Sequence, residues 1–382
     1  MRVALYDPTL SGHHPEYAAN IVRYLSNIGD DVLYITPDQS NRATIVKNAG
    51  AKILFVGRPS VGNAIQSFHR TVSNVRSGLE IAREWNADIF HHLFVDTREP
   101  AITTALSTTS TPILFTLFNP HYHREGAIRQ RVYGNFCFKF IDIFSLKSSF
   151  MGMFVHTPQI KERIHQRSQF LEEKDLHVVP DPVALPDHRL SKEEARRNLN
   201  IKGEDPIYLF FGGLRAEKGA KLLMEVIGNL DRDATFVIAG SEGVIGQTEI
   251  EVANNQSRAV IDARLDFIPD SKVYTYFFAC DAVVLPYLSE YSGTSGVLQR
   301  SAAAGRPVIA TNVGEVGPLV KEYDLGYVVQ SDVQSITRKL KTFDPQTALK
   351  KFESALLTYA EKHSVDRFSR EIRSVYSDVT HE

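Results

Sequence analysis

Ser292-Gly293-Thr294-Ser295-Gly296 combines glycine and hydroxyl side chains at a point where the chain changes character. An apolar run at 281–286 precedes it, and a small-residue helical segment at 292–304 follows, ending at Gly305. A helix that opens just past the carboxyl end of a buried strand leaves backbone N–H groups unpaired. Glycine lets a ligand approach, and the helix dipole favours an anion. The same residues also suit a plain Ser/Thr-capped helix packed on a sheet. A second set, Gly212-Gly213-Leu214-Arg215-Ala216-Glu217-Lys218-Gly219, lies between another apolar run and another helical segment. Glycine again brings backbone close to a ligand. Arg215, as a fork, and Lys218, as a point charge, can neutralise a diphosphate. The spacing is neither GxGxxG nor a Walker A loop, so on its own it equally fits a solvated helix start.

Histidines form the third set. His13 and His14 follow the first apolar run, His91 and His92 end the fourth, and His121 and His123 follow the fifth. Gathered at strand ends, they point to a cleft more than to core packing. His121 and His123 have a zinc-ligand spacing, but no Cys or carboxylate groups with them, and we expect no metal. Asp231-Arg232-Asp233 precedes a strand instead of following one and reads as a turn.

The elements that must carry these residues alternate. Short apolar runs at 3–6, 32–35, 53–56, 89–92, 113–117 and 153–156 are separated mostly by longer segments of helical period, the pattern of a parallel sheet wound with helices. The proline-rich PDPVALPD, beginning at Pro180, reads as a linker. The alternation restarts with strands expected at 207–211, 235–239, 264–268, 282–285, 308–310 and 326–329. Ser191 and Glu194 form a capping-box pattern ahead of the first helix of this half. The expected architecture is α/β: two Rossmann-like domains facing across a cleft, with ligands at the carboxyl ends of the strands. The expected boundaries are 1–183 and 190–360, with a C-terminal helix at 361–382 crossing back to the first domain.

Length and composition agree with two globular domains: 382 residues, 43% hydrophobic and 23% charged. A formal net charge of −2 argues against nucleic acid as a partner. Cys137 and Cys280 occur in unrelated apolar contexts, which suits a reducing cytoplasm. The start lacks signal-peptide character, and no run reaches the roughly eighteen apolar residues of a membrane span. Between Arg124 and Gln169, Arg129, Arg131, Lys139, Lys147, Lys161 and Arg163 interleave with seven aromatics from Tyr133 to Phe154. Such a face can lie on an anionic bilayer from the inner side of a membrane. The alternative is that the aromatics fill the first domain's core. Oligomeric state has no signature in the chain.

The second half resembles the donor-binding half of the retaining glycosyltransferases of family four, which have the two-domain GT-B architecture. FFGGLRAEKG is similar to their GRL-x-x-x-KG element and ATFVIAGSEG to their strand and glycine turn. DAVVLPYLSEYSGTSGVLQ is similar to their strand with phosphate loop, and AAAGRPVIATNVG to the segment after it. The first half resembles the family mainly in layout. The resemblance implies a hexosyltransferase that moves a sugar from a nucleoside diphosphate sugar to an acceptor hydroxyl, with retention and without metal or other cofactor. The acceptor would be a glycan, a lipid-linked glycan or a small molecule. It implies donor contacts at Gly12, Gly213, Arg215, Lys218, Gly293, Thr294, Ser295, Gly296 and Arg300. The family's paired glutamates fall by spacing at Ser292 and Arg300, and Glu290 stands nearest the first. The family's arginine of the GR pair is Gly213 here, with Arg215 two positions on. The family's histidine after the fifth strand falls at Phe118, which leaves His121 first and His92 second as candidates for the reaction centre. Two other readings remain. One is a non-catalytic sugar-nucleotide or glycan-binding relative, and the other is a sugar-nucleotide epimerase of the same fold. A dinucleotide oxidoreductase lacks its fingerprint here.

Overall fold

The computed structural model describes the chain apart from Gly12, Val61, Thr97, 119–127, Ser292 and Glu382, and apart from the side chains of 128–131 and 381. The chain forms two compact units, Met1–Pro180 with Val365–Glu382, and Asp181–Ser364.

The first unit carries strands β1 (Arg2–Tyr6), β2 (Asp31–Thr36), β3 (Lys52–Phe55), β4 (Ile89–His92), β5 (Ile113–Thr116), β6 (Phe150–Val155) and β7 (Leu176–Val178). All pair in parallel, in the order β3-β2-β1-β4-β5-β6-β7. Helices α1 (His14–Asn27), α2 (Ala43–Asn48), α3 (Ala64–Glu84), α4 (Glu99–Leu106), α5 (Ile128–Phe144) and α6 (Pro158–Arg167) connect them. A parallel sheet covered on both faces needs apolar side chains on both, so its central strands are near-continuous apolar runs. Winding reverses between β1 and β4, where the carboxyl strand ends of such sheets form a crevice.

The second unit carries β8 (Ile207–Phe211), β9 (Thr235–Ala239), β10 (Val260–Arg264), β11 (Ala282–Leu285), β12 (Val308–Thr311) and β13 (Gly326–Val329), parallel in the order β10-β9-β8-β11-β12-β13. Its helices are α7 (Lys192–Asn198), α8 (Ala220–Gly228), α9 (Gln247–Gln256), α10 (Asp270–Ala279), α11 (Gly296–Ala303), α12 (Val316–Glu322), α13 (Val333–Thr342) and α14 (Pro345–Lys362). The strand expected at 264–268 lies instead at Val260–Arg264, in register with β9. It is the edge strand, with Val260 60% exposed, so its apolar pattern is diluted. The more apolar residues after it run out to Phe267, 82% exposed. The capping box forms as expected: Ser191 Oγ accepts from Glu194 N at 3.2 Å, and Glu194 Oε2 accepts from Ser191 N at 2.9 Å.

The last helix, α15 (Val365–His381), completes the first unit's core. Phe368, Ile372 and Tyr376, spaced by four, are all buried on one helical face. Ser369 Oγ donates to the Asn20 carbonyl of α1 at 3.1 Å. Tyr376 Oη lies 2.6 Å from His91 Nδ1, while His91 Nε2 lies 2.7 Å from Thr116 Oγ1. Burial pushes the His91 imidazole down to about 3, so it is neutral, with one nitrogen donating and the other accepting. Tyr376→Phe strands a buried ring nitrogen. A loss of about 1–3 kcal/mol is expected in thermal or denaturant unfolding, and an unchanged midpoint would mean that His91 finds another partner.

Candidate functional site

In the second unit two strand exits meet. β8 leaves the sheet at Gly212, whose φ of +99° is in the left-handed region. A Cβ there would stand 2.8 Å from Lys218 Nζ, so the missing side chain makes room for the ammonium. The loop is pinned to the exit of β9, with Leu214 N donating to Ser241 O at 3.1 Å and Val244 N donating to Leu214 O at 2.8 Å. It then turns at Gly219, φ +72°, against the exit of β11. There a Cβ would fall 1.8 Å from the Pro286 carbonyl oxygen, and Leu288 N donates to Glu217 O at 3.0 Å. The two loops singled out in the sequence therefore form one surface.

Beyond β11 the chain is fixed by its own polar groups. Tyr287 O accepts from Thr311 Oγ1 at 2.7 Å and from Ser331 Oγ at 3.0 Å. Ser295, the N-cap of α11, has φ +67°, a conformation that costs a non-glycine residue about 1–2 kcal/mol. Its hydroxyl accepts from Leu298 N at 3.3 Å and sits 2.9 Å from the buried Tyr287 Oη. Thr294 Oγ1 donates to Asp181 Oδ2 at 2.5 Å. Both hydroxyls thus face the protein and shape the turn, while Gly296 is exposed. The first-turn amides of Gly296 and Val297 have no acceptor within an α-helix.

Cations border this helix start. Arg300 Nη1 lies 3.5 Å from where a Gly296 Cβ would stand. Arg215 is largely exposed and pairs with Glu217 at 3.1 Å. Lys218 makes no ion pair among the described residues. Burial, then repulsion from Arg215 and Arg300 partly offset by Glu217, holds its ammonium down to about 8. Three cations thus stand beside this helix N-terminus, with Glu217 among them and Asp181 behind Thr294, and open first-turn amides bordered by cations can hold an anion such as a diphosphate. Glu290 is exposed in the turn after β11 and accepts from Ser289 Oγ at 3.3 Å.

In the first unit, Asp7, just past the end of β1, is fully buried, accepting from Tyr34 Oη at 2.8 Å and lying 2.8 Å from His14 Nδ1. The His14 ring stacks on Phe94 at 3.5 Å, and His13 lies 4.4 Å from Phe118. Phe94 has φ +53°, again left-handed. His13 and His14 thus stay at the strand-end surface as expected. His91 and His92 do not: both are 0% exposed. His92 Nδ1 lies 2.9 Å from its neighbour's carbonyl, Leu93 O, its ring packs 4.8 Å from Tyr6, and burial lowers it to about 3. It is a neutral core residue in this structure, because strand-end position does not set how far a strand projects from the layers covering it. Gly12, His121 and His123 lie outside the described residues. Among the described residues no group of three or more metal-ligating side chains comes together. Asp231 and Asp233 flank the entry to β9, where Asp233 pairs with Arg258 at 2.5 Å.

Asp181, Tyr287 and Asp7 have structural roles that no sequence motif announced. The spacing of Asp7 and His14, a strand end and the following helix start, is the one available signal.

Residues 205–343 match the family described as Glycosyl transferases group 1. The putative teichuronic acid biosynthesis glycosyltransferase TuaC of Bacillus subtilis (strain 168) is 23% identical over 188 residues, 48% of this chain and 46% of that one. The chain thus matches such a curated relative over about half of the relative's length. Among solved structures, sucrose-phosphate synthase from Thermosynechococcus elongatus superposes with a TM-score of 0.76 at 16% identity, covering 100% of this chain and 99% of that one. Alr3699/HepE from Anabaena, solved in complex with UDP-glucose, gives 0.73 at 13% identity, covering 99% and 100%. The chain has the fold of the GT-B glycosyltransferases, and its residues 205–343 are a glycosyl transferases group 1 domain.

Proposed function

We propose that this chain is a hexosyltransferase that moves a sugar from a nucleoside diphosphate sugar to an acceptor hydroxyl, with retention and without a metal. The acceptor is a glycan, a lipid-linked glycan or a small molecule, and the reaction is cytoplasmic. The observation that carries the reading is the half-buried Lys218, without an ion pair among the described residues, set with Arg215 and Arg300 beside the open start of α11. In this proposal Arg215, Lys218 and the amides of Gly293–Gly296 hold the diphosphate and stabilise the charge that grows on it as it leaves. Preorganised electrostatics of this sort is usually the largest catalytic contribution. Gly213 and Gly12 let backbone approach the donor, Glu290 contacts the donor sugar, and Arg300 reaches ribose or phosphate. The reaction-centre histidine is assigned to His121, since His92 is neutral and enclosed.

UDP is the first base to test, because Alr3699/HepE was solved with UDP-glucose. A nucleoside diphosphate at about one hundred times its dissociation constant should stabilise the chain by about 2.7 kcal/mol. Thermal shifts with UDP, GDP and ADP read this directly, and acceptor-dependent release of diphosphate reads turnover. No shift with any of the three would sink the proposal. Arg300, standing where the family has a glutamate, favours one second reading, a sugar-nucleotide binder without turnover. A clear shift with no diphosphate release across an acceptor panel would select it.

A further inference from the structure

The outer face of α5 is unusual for a helix that covers a sheet. Cys137, Phe138, Ile141 and Phe144 are buried against the first unit's core. On the other side Val132, Phe136, Ile143 and Leu146 are each more than half exposed. Val132, Phe136, Lys139 and Ile143 are spaced by four, three and four along one side of α5, a stripe about 16 Å long, and Leu146 follows in the turn just past the end of the helix. The seven aromatics between Tyr133 and Phe154 therefore divide. Phe138, Phe144, Phe150 and Phe154 fill the core, Phe140 is half-buried, and Tyr133 and Phe136 are exposed.

Among the described residues, the exposed charged side chains on α5 and in the turn after it are basic. Lys139 and Lys147 are exposed, and Arg167, at the end of α6, donates to Asn135 of α5 at 3.3 Å. The one acid in α5, Asp142, is buried. It accepts from the Ser168 hydroxyl, from Gln169 N at 3.0 Å and from Phe170 N at 3.1 Å. Asp142 is thus used inside the protein, where it ties to α5 the loop that carries the 42%-exposed Phe170. On α6 the exposed Glu162 is flanked by Lys161 and Arg163.

We propose that this face seats the protein on an anionic bilayer, with the apolar stripe at the acyl boundary and Lys139, Lys147 and Arg167 at the headgroups. An apolar row with basic borders is the pattern of an interfacial helix. No described helix is long and apolar enough to cross a membrane. A second copy of the chain fits less well, because pairing two such faces brings lysines against lysines.

The test is flotation of the full chain with phosphatidylglycerol/phosphatidylcholine vesicles and with phosphatidylcholine vesicles alone. The chain should float with the anionic vesicles at low salt and less at high salt. Lys139→Gln with Lys147→Gln should weaken partitioning onto the anionic vesicles about 20-fold. Phe136→Ser with Ile143→Ser should weaken it about tenfold or more. All four positions are exposed, so both variants should melt like the parent and keep its thermal shift with UDP, which separates this question from donor binding. Absence of flotation at low salt, or flotation unaltered in both variants, overturns the proposal. A concentration-dependent dimer abolished by Phe136→Ser with Ile143→Ser overturns it in favour of a second copy.

Discussion

Gly219→Ala should lower the stability of the second unit by about 2–5 kcal/mol and remove its response to nucleoside diphosphates. Two costs add. The residue is left-handed at φ +72°, worth about 1–2 kcal/mol against alanine. Its new Cβ would also stand 1.8 Å from the Pro286 carbonyl oxygen. The obstacle is backbone, so no rotamer change relieves it. Either the β8 loop or the exit of β11 must move, at an overpacking cost of about 1–3 kcal/mol. Movement also breaks the bond from Leu288 N to Glu217 O that holds the two loops together. The midpoint of thermal unfolding should fall by about 5–15 °C. Gly213→Ala is the matched control for stability: φ is not left-handed there, and the new Cβ would meet Ser241 Oγ at an ordinary 3.4 Å. If the two variants melt alike, the loops are not apposed as described.

That apposition marks the boundary of what could be read from the chain. The individual loops were legible, because glycine and small hydroxyl residues between an apolar run and a helical segment have few other uses. So were most strands of the second unit, whose burial on both faces leaves compact apolar runs. β10 was misplaced because an edge strand lacks that double burial. The contact between Gly219 and Pro286, and the bond from Thr294 to Asp181, join residues far apart in sequence, and nothing local encodes them. Histidine was the least legible residue. His14 stays partly exposed, stacked on Phe94 and fixed by Asp7, while His91 ends in the core as a relay between Tyr376 and Thr116. The partner that makes His91 structural comes from α15, at the other end of the chain. Strand-end placement alone could not separate the two outcomes.

Lys218→Ala should weaken nucleoside diphosphate binding about 30–100-fold while leaving the ligand-free protein at least as stable near neutral pH. The opposite directions follow from one fact. Burial, and then Arg215 and Arg300, hold the ammonium down to about 8, against an ordinary value of 10.5. Folding therefore lowers its proton affinity. The penalty for carrying this charge is present in full below about pH 8 and disappears as pH rises from 8 towards 10.5. For the ligand-free parent, stability from this group rises across that window, by on the order of 2 kcal/mol. A bound diphosphate reverses the local field and raises the lysine's proton affinity. Binding should then take up a proton near pH 8 and weaken as pH climbs above it. The ligand cannot cause that fall, since phosphate ionisation is complete well below pH 8 and would only strengthen attraction to cations. Calorimetric titration with UDP from pH 7 to pH 9.5, in two buffers of different ionisation enthalpy, reads affinity and proton uptake together. Lys218→Ala should abolish the uptake and flatten the decline. If the variant keeps both, the lysine does not meet the phosphates, and the cation that titrates with binding must be sought elsewhere.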